Sequence, residues 1–225
     1  MNTENRRAPQ RAQLGFKPMA LVKTYQTNII DLYIDDEITS PSEYREIYHA
    51  LSNAGPQDLV KIHINSPGGR LDAGIQIINH IKHCEALVVG VLHMECASMA
   101  SGIFLACHDW EINKFSTMMV HSCSYGAGGK QSDIKTRVNF MTDYNEMFVR
   151  ENYTGFLTDE ELDRVLKGDD IYFTAEEIDK KLVKFKKYRE ENLNREENEE
   201  LDDEPEIVVE SKPQRKRSTK AEKQA

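Results

Sequence analysis

A serine between two apolar runs is the residue of this sequence best placed to do chemistry. Ser98 follows a run typical of a strand and precedes a run typical of a buried helix. Free backbone N–H groups and the positive end of the helix dipole favour negative charge at such a position. A serine there can attack a carbonyl group, and the resulting oxyanion can be stabilised. Acyl transfer through Ser98 also requires a base, a residue that orients the base and an oxyanion hole.

His121 is the best candidate for the base. It follows a short apolar run, residues 117–120, and precedes a segment rich in Ser, Tyr and Gly. Active sites of open α/β sheets gather outside the carboxyl ends of strands, so a histidine at a strand end faces the right region. Taken alone, a histidine in this position is more often structural. The other six histidines fall in helices, strands or connections that make them weaker candidates.

Asp170 is the candidate for the residue that orients the base. It lies in a polar turn that leads into the apolar residues 171–173, ahead of a helix start. A carboxylate in that setting can hold an imidazole in one tautomer. Without the other motifs, Asp169 and Asp170 would be interpreted as ordinary turn residues.

A strand-terminal Ser-Pro-Gly-Gly run, residues 66–69, supplies a candidate oxyanion hole. Its glycines let the backbone approach a ligand closely. The N–H groups of Gly68 and Gly69 could act together with the N–H group of Met99. Glycine pairs in turns are common, so the combination with Ser98, His121 and Asp170 carries the hypothesis.

Strands and helices alternate along the chain with short links. This order is typical of βαβ units around a mostly parallel sheet and predicts an α/β fold. Apolar spacing predicts strands over 29–34, 59–65, 87–92 and 117–121, and helices over 41–53, about 71–81, 98–107 and 131–153. Capping boxes that begin at Ser40, Thr158 and Thr174 predict further helix starts.

Composition narrows the class of protein. The chain has 225 residues and a formal net charge of -9, which argues against a general nucleic-acid binder. No apolar stretch is long enough to span a bilayer, and the N-terminal segment lacks the apolar region of a signal peptide. We expect a cytoplasmic protein with no membrane or nucleic-acid partner. The four cysteines show no metal-ligand spacing, so we expect no metal and no cofactor.

The two ends of the chain differ from its middle. Residues 1–25 are polar and predicted to be flexible, and residues 26–188 form the predicted catalytic domain. Residues 189–225 form a predicted disordered tail, because 190–210 holds eleven acidic residues against Arg195 before the chain turns basic. A solvated tail is the simpler interpretation. The apolar island 207–209 leaves open an interaction tail that adds to a partner's sheet edge.

Four motifs in one order resemble the ClpP family, the proteolytic subunit of the Clp protease and its phage-encoded relatives. They are the runs 64–69 (Ile-Asn-Ser-Pro-Gly-Gly), 96–100 (Cys-Ala-Ser-Met-Ala), 119–121 (Met-Val-His) and 170–177 (Asp-Ile-Tyr-Phe-Thr-Ala-Glu-Glu). The resemblance covers about residues 29–184. It implies Ser98 as nucleophile, His121 as general base and Asp170 as its orienting partner. It also implies an oxyanion hole from the backbone of Gly68, Gly69 and Met99.

The resemblance further implies a ClpP/crotonase-like fold in which the helix near 132–153 is the handle through which two rings stack. Family properties would then include homo-oligomeric rings such as a double heptamer, peptide or unfolded protein substrates and a Clp-type ATPase unfoldase. Two alternatives stay open: a crotonase-like enzyme of coenzyme A thioesters, and a non-catalytic subunit of a protease complex. Within the protease hypothesis, a phage-type processing protease is a narrower possibility.

Overall fold

One six-stranded sheet with helices packed around it organises the part of the chain that the computed structural model describes, residues 27–202. The predicted flexible segment 1–25 and the tail beyond Asp202 lie outside those residues. The elements are β1 (Ile29–Ile34), a 3-10 helix (Pro41–Tyr44), α1 (Arg45–Asn53), β2 (Leu59–Ser66), α2 (Leu71–Lys82), β3 (Leu87–Ala97), α3 (Met99–Ala106), β4 (Asp109–Ile112), β5 (Thr117–Val120), α4 (Gln131–Tyr153), α5 (Asp159–Leu166), β6 (Ile171–Thr174) and α6 (Ala175–Asp202).

The strand order is β1-β2-β3-β5-β6, and all neighbours are parallel except β5 and β6. The long strand β3 has two partners on one edge. Its first half pairs with β4 and its second half pairs with β5. Crossover helices between parallel strands confirm the α/β class with repeated βαβ units that the sequence predicts.

Alternation of side chains divides the two faces of the sheet. On β2 the residues Val60, Ile62 and Ile64 are fully buried, whereas the residues between them are partly exposed. Helix α3 closes the core, because every residue from Met99 to Leu105 is buried. A helix that is apolar all round belongs in an interior, so this helix holds Ser98 at the boundary between core and surface.

The predicted capping boxes have different outcomes. At α5 the Thr158 hydroxyl accepts from the Glu161 N–H, and the Glu161 carboxylate accepts from the Thr158 N–H. At Ser40 the side chain makes no cap, because the chain enters α1 through a 3-10 turn and Ser40 Oγ lies 3.0 Å from Ser42 Oγ. That turn therefore replaces the first part of the predicted helix.

Helix α6 extends beyond the boundary at 188 that composition indicates. Arg189 donates to the carbonyl oxygens of Leu105 and Cys107, at 3.3 and 2.7 Å, and so caps the last turn of α3. Residues 189–202 are helical, and the rest of the predicted tail lies outside the described residues. None of the helices within 27–202 has both the length and the apolar character that crossing a membrane requires.

Candidate active site

The sheet topology brings the predicted site residues to one edge. Strands β2, β3 and β5 are parallel, so the residues that follow them share the same side of the sheet. Those residues are the glycine pair after Ser66, Ser98 and His121. Strand β6 is antiparallel to β5, with Ile171 opposite Val120, so Asp170 before β6 meets His121 after β5.

Ser98 occupies a strained turn between β3 and α3. It has φ 54° and ψ −124°, and it is the one non-glycine residue with positive φ within 27–202. Such a conformation costs about 1–3 kcal/mol and persists where surrounding contacts enforce it. Here the Ser98 N–H donates to the Met119 carbonyl oxygen of β5 at 2.9 Å. The turn presents the hydroxyl at the start of a buried helix, as in a nucleophile elbow.

The Ser98 hydroxyl has a base within hydrogen-bonding distance. Ser98 Oγ and His121 Nε2 are 2.7 Å apart. This distance fits a nucleophile whose proton passes to an imidazole nitrogen. The imidazole is three-quarters covered by the protein, with 25% of its side chain exposed.

Asp170 approaches the other imidazole nitrogen. Asp170 Oδ1 lies 3.5 Å from His121 Nδ1, and the carboxylate side chain is 53% exposed. That separation is longer than a direct hydrogen bond. The three predicted side chains therefore lie in the order Asp170, His121, Ser98, with the carboxylate contact loose and open to solvent.

Gly68 lies directly against the serine turn. A Cβ added to Gly68 would stand 2.7 Å from Ser98 Cβ and 2.9 Å from Met99 N, and its φ is 93°. No other residue fits this approach. The Gly68 N–H donates to Ser66 Oγ at 3.1 Å, so it is already committed to a partner.

Gly69 presents a freer N–H group. The Ile38 N–H donates to the Gly68 carbonyl oxygen and the Arg70 N–H donates to the Ile38 carbonyl oxygen, both at 2.7 Å. In a parallel pairing of this kind, the residue between the two bonded groups directs its own N–H to the opposite side. Gly69 thus turns its N–H away from Ile38, which favours Gly69 over Gly68 as a donor beside Met99.

Two buried hydroxyl groups support the serine turn from behind. The sequence gives Ser101 no role beyond packing, and Tyr153 is only the last residue of the predicted helix 131–153. Both are almost fully buried, and their oxygens are 2.9 Å apart. Ser101 Oγ donates to the Ser98 carbonyl oxygen at 2.6 Å. No sequence signal links these two residues, because 52 positions separate them along the chain.

The neighbouring cysteines differ from Ser98 in reactivity. Cys96 is fully buried, and burial raises the pKa of its thiol well above the ordinary value. Burial also raises the pKa of Cys123, which follows His121 by two positions. Both therefore favour the neutral thiol, a weaker nucleophile than thiolate. Residues 27–202 contain no group of three or more His, Cys, Asp or Glu side chains arranged to hold a metal ion.

Comparison with known proteins agrees with this architecture. The family model for Clp protease matches residues 20–192. The ATP-dependent Clp protease proteolytic subunit 2 of Synechococcus sp. (strain CC9605) is 27% identical over 150 residues, which are 62% of this chain and 72% of that protein. Subunit 1 of Frankia casuarinae is 32% identical over 133 residues, which are 56% of this chain and 61% of that protein.

The family model and the named relatives, all Clp protease proteolytic subunits, define the class as a serine-type endopeptidase. The family model covers most of the sequence, and the chain belongs to the Clp protease family. The resemblance drawn from the four sequence motifs is thereby confirmed.

Proposed function

We propose that this chain hydrolyses peptide bonds through an acyl-enzyme on Ser98, with His121 as general base and Asp170 as its orienting partner. The observation that carries the proposal is the 2.7 Å separation of Ser98 Oγ and His121 Nε2 at a strained helix start. Removing a proton from serine and stabilising the oxyanion at the same place are the two requirements of acyl transfer.

The steps follow from the positions of the groups. Ser98 Oγ attacks the carbonyl carbon of the peptide, and its proton passes to His121 Nε2. The tetrahedral oxyanion accepts hydrogen bonds from the N–H groups of Gly69 and Met99, with Gly68 allowing the close approach. Collapse breaks the C–N bond, and His121 returns the proton to the leaving amine. A water molecule, deprotonated by His121, then attacks the ester and releases the acid with Ser98 restored.

Asp170 orients His121 rather than taking its proton. A carboxylate beside Nδ1 favours the tautomer whose Nε2 accepts from Ser98, and it stabilises the imidazolium that forms. Because the contact is 3.5 Å long and half exposed, we expect it to shorten when substrate covers the site.

We infer that the chain works as the proteolytic subunit of a self-compartmentalising assembly in the cytoplasm. The relatives named above are called ATP-dependent Clp protease proteolytic subunits, which supports a Clp-type ATPase as the partner. The proposed assembly is a homo-oligomeric ring, stacked in pairs as a double heptamer. Unfolded proteins and peptides are then the substrates. A phage-type processing protease remains the narrower form of the same proposal.

Neither alternative function has an observation in its favour. A coenzyme A thioester enzyme of crotonase type has no use for serine, histidine and aspartate in this order. A non-catalytic subunit has no need of a serine held in a strained conformation within 2.7 Å of an imidazole. The family match adds weight to the peptidase.

Labelling with a fluorophosphonate probe tests the chemistry and the assembly together. The wild-type protein should label at one serine, migrate as an oligomer in native mass measurements and cleave fluorogenic peptides. Ser98→Ala should abolish labelling and lower kcat/KM by at least about 10³-fold. Ser52→Ala, on the exposed side of α1, is the matched control and should behave as wild type. Labelling that persists in Ser98→Ala would refute the assignment.

A further inference from the structure

The carbonyl group of Ser98 is held by both the backbone and the side chain of Ser101. It accepts from the Ser101 N–H at 3.0 Å and from Ser101 Oγ at 2.6 Å, and the Tyr153 hydroxyl oxygen lies 3.4 Å away. Since Ser101 Oγ gives its proton to this carbonyl, the Tyr153 hydroxyl is left to donate to Ser101 Oγ at 2.9 Å. We call this chain of Tyr153, Ser101 and the Ser98 carbonyl the hydroxyl relay.

The relay acts on the same peptide group that carries the Met99 N–H. In a trans peptide the C=O of one residue and the N–H of the next lie in one plane and point in opposite directions. Fixing the Ser98 carbonyl behind the turn therefore fixes where the Met99 N–H points in front of it. Hydrogen bonds accepted by a carbonyl also polarise its peptide group and strengthen its N–H as a donor.

Burial keeps the hydrogen bonds of the hydroxyl relay in one arrangement. Tyr153 is 1% exposed and Ser101 is fully buried, so neither hydroxyl can exchange its partner for bulk water. The pKa of Tyr153 is raised by burial, which keeps the phenol protonated and able to donate. Tyr153 is the last residue of α4, so the relay also ties the end of this long helix to the serine turn.

We propose that Tyr153 and Ser101 are positioning residues that hold the Ser98–Met99 peptide group so that its N–H serves the oxyanion hole. The inference rests on the proposed function and adds two residues that never touch substrate. An N–H aimed at the oxyanion matters most in the transition state, when negative charge has formed. Loss of the relay should therefore lower kcat and leave KM nearly unchanged.

Two variants test the relay, each measured per active site after titration with a fluorophosphonate. Tyr153→Phe keeps the ring and should lower kcat about three- to tenfold, because it removes one hydrogen bond from the chain. Ser101→Ala removes the direct donor and should lower kcat about ten- to fiftyfold. A peptidyl boronate, which mimics the tetrahedral intermediate, should lose affinity by the same factor as kcat/KM in each variant.

The matched control is Tyr48→Phe. Tyr48 is also buried, but within residues 27–202 its hydroxyl has no hydrogen-bond partner, so its removal should leave kcat unchanged. Unchanged kcat and boronate affinity in both folded relay variants would overturn the inference, as would a loss seen only in KM. Wild-type protein that neither labels nor cleaves would instead refute the proposed function, which keeps the two failures distinct.

Discussion

Two regions of the molecule each place an aspartate beside a histidine, and their comparison shows what makes one of them a candidate catalytic site. At the sheet edge, Asp170 lies 3.5 Å from His121. On the outer face of β1–β3, Asp31 Oδ1 lies 2.9 Å from His63 Nε2. The Asp31–His63 contact is the shorter one, yet it has no nucleophile at its far end. His63 Nδ1 meets His93 Nε2 at 2.9 Å.

Burial does not distinguish the two regions. The carboxylates are 53% and 46% exposed, and the imidazoles 25% and 17%, for the edge site and the outer face respectively. The backbone does distinguish them. Asp31, His63 and His93 lie inside strands β1, β2 and β3, and no helix begins directly after any of them. Ser98 and His121 follow strand ends, where N–H groups at a helix start remain available.

The outer-face histidines gain their order from packing. The Tyr33 ring stacks on His63 with centroids 4.7 Å apart and an interplanar angle of 13°. Stacking and a carboxylate contact together orient an imidazole on a half-exposed sheet face. An aspartate–histidine pair is therefore insufficient evidence of catalysis unless a nucleophile and donors for an oxyanion accompany it.

Replacing the two imidazoles gives the largest expected difference. His121→Ala should lower kcat/KM for a fluorogenic peptide by at least about 10³-fold, because Ser98 loses its base. His63→Ala should stay within about twofold of wild type, since its partners Asp31, Tyr33 and His93 do not belong to the site around Ser98. Equal losses in the two variants would mean that the outer face takes part in catalysis.

Two glycine variants distinguish the effect of contact with Ser98 from the effect of backbone strain. The expected loss of activity, in Gly68→Ala, is intermediate in size. Gly68→Ala places a methyl group 2.7 Å from Ser98 Cβ, so the serine turn must move and kcat/KM should fall about 10²-fold. Gly168→Ala has a similar φ of 103° but no atom within 4 Å of the new methyl group. It should cost about 1 kcal/mol of unfolding free energy and leave activity within about twofold. An equal loss of activity in Gly168→Ala would show that strain, rather than contact with Ser98, is responsible.

The smallest effect concerns the stability of the outer face. A double-mutant cycle with Asp31→Asn and His63→Gln, followed by urea unfolding, should give a coupling free energy of about 0.2–1 kcal/mol. Solvent screens a half-exposed pair and limits its value. A coupling free energy above about 2 kcal/mol would mean that the Asp31–His63 contact is a major contribution to stability, contrary to the expected solvent screening.

Long elements with uninterrupted patterns were predictable from the sequence. The predicted boundaries of β1 (Ile29–Ile34) and α4 (Gln131–Tyr153) agree with the structure. Strand β1 is a run of Ile, Leu and Tyr interrupted by one Asp, and α4 contains neither glycine nor proline over 23 residues. Both patterns are local, so they act regardless of what the rest of the chain does.

Two short strands and one strand extension that depend on partners were not predictable. Strand β4 (Asp109–Ile112) has four half-exposed or exposed residues and exists because β3 offers it an edge. Strand β6 (Ile171–Thr174) exists because β5 pairs with it. The extension of β3 to Ala97 likewise follows from its pairing with β5 at 95–97. Ladder hydrogen bonds, rather than residue preference, decide such segments.

The sequence by itself determined where the reactive types stand: Ser98 at a helix start, His121 at a strand end, and a glycine pair after β2. These are local signals, since each depends on the residues immediately around it. The tertiary structure decided which groups meet. It brought Tyr153 to Ser101, turned the Gly69 N–H away from Ile38, and gave Asp31 a histidine that has no nucleophile. Contacts between distant segments depend on strand register and helix packing, which no single stretch of sequence encodes.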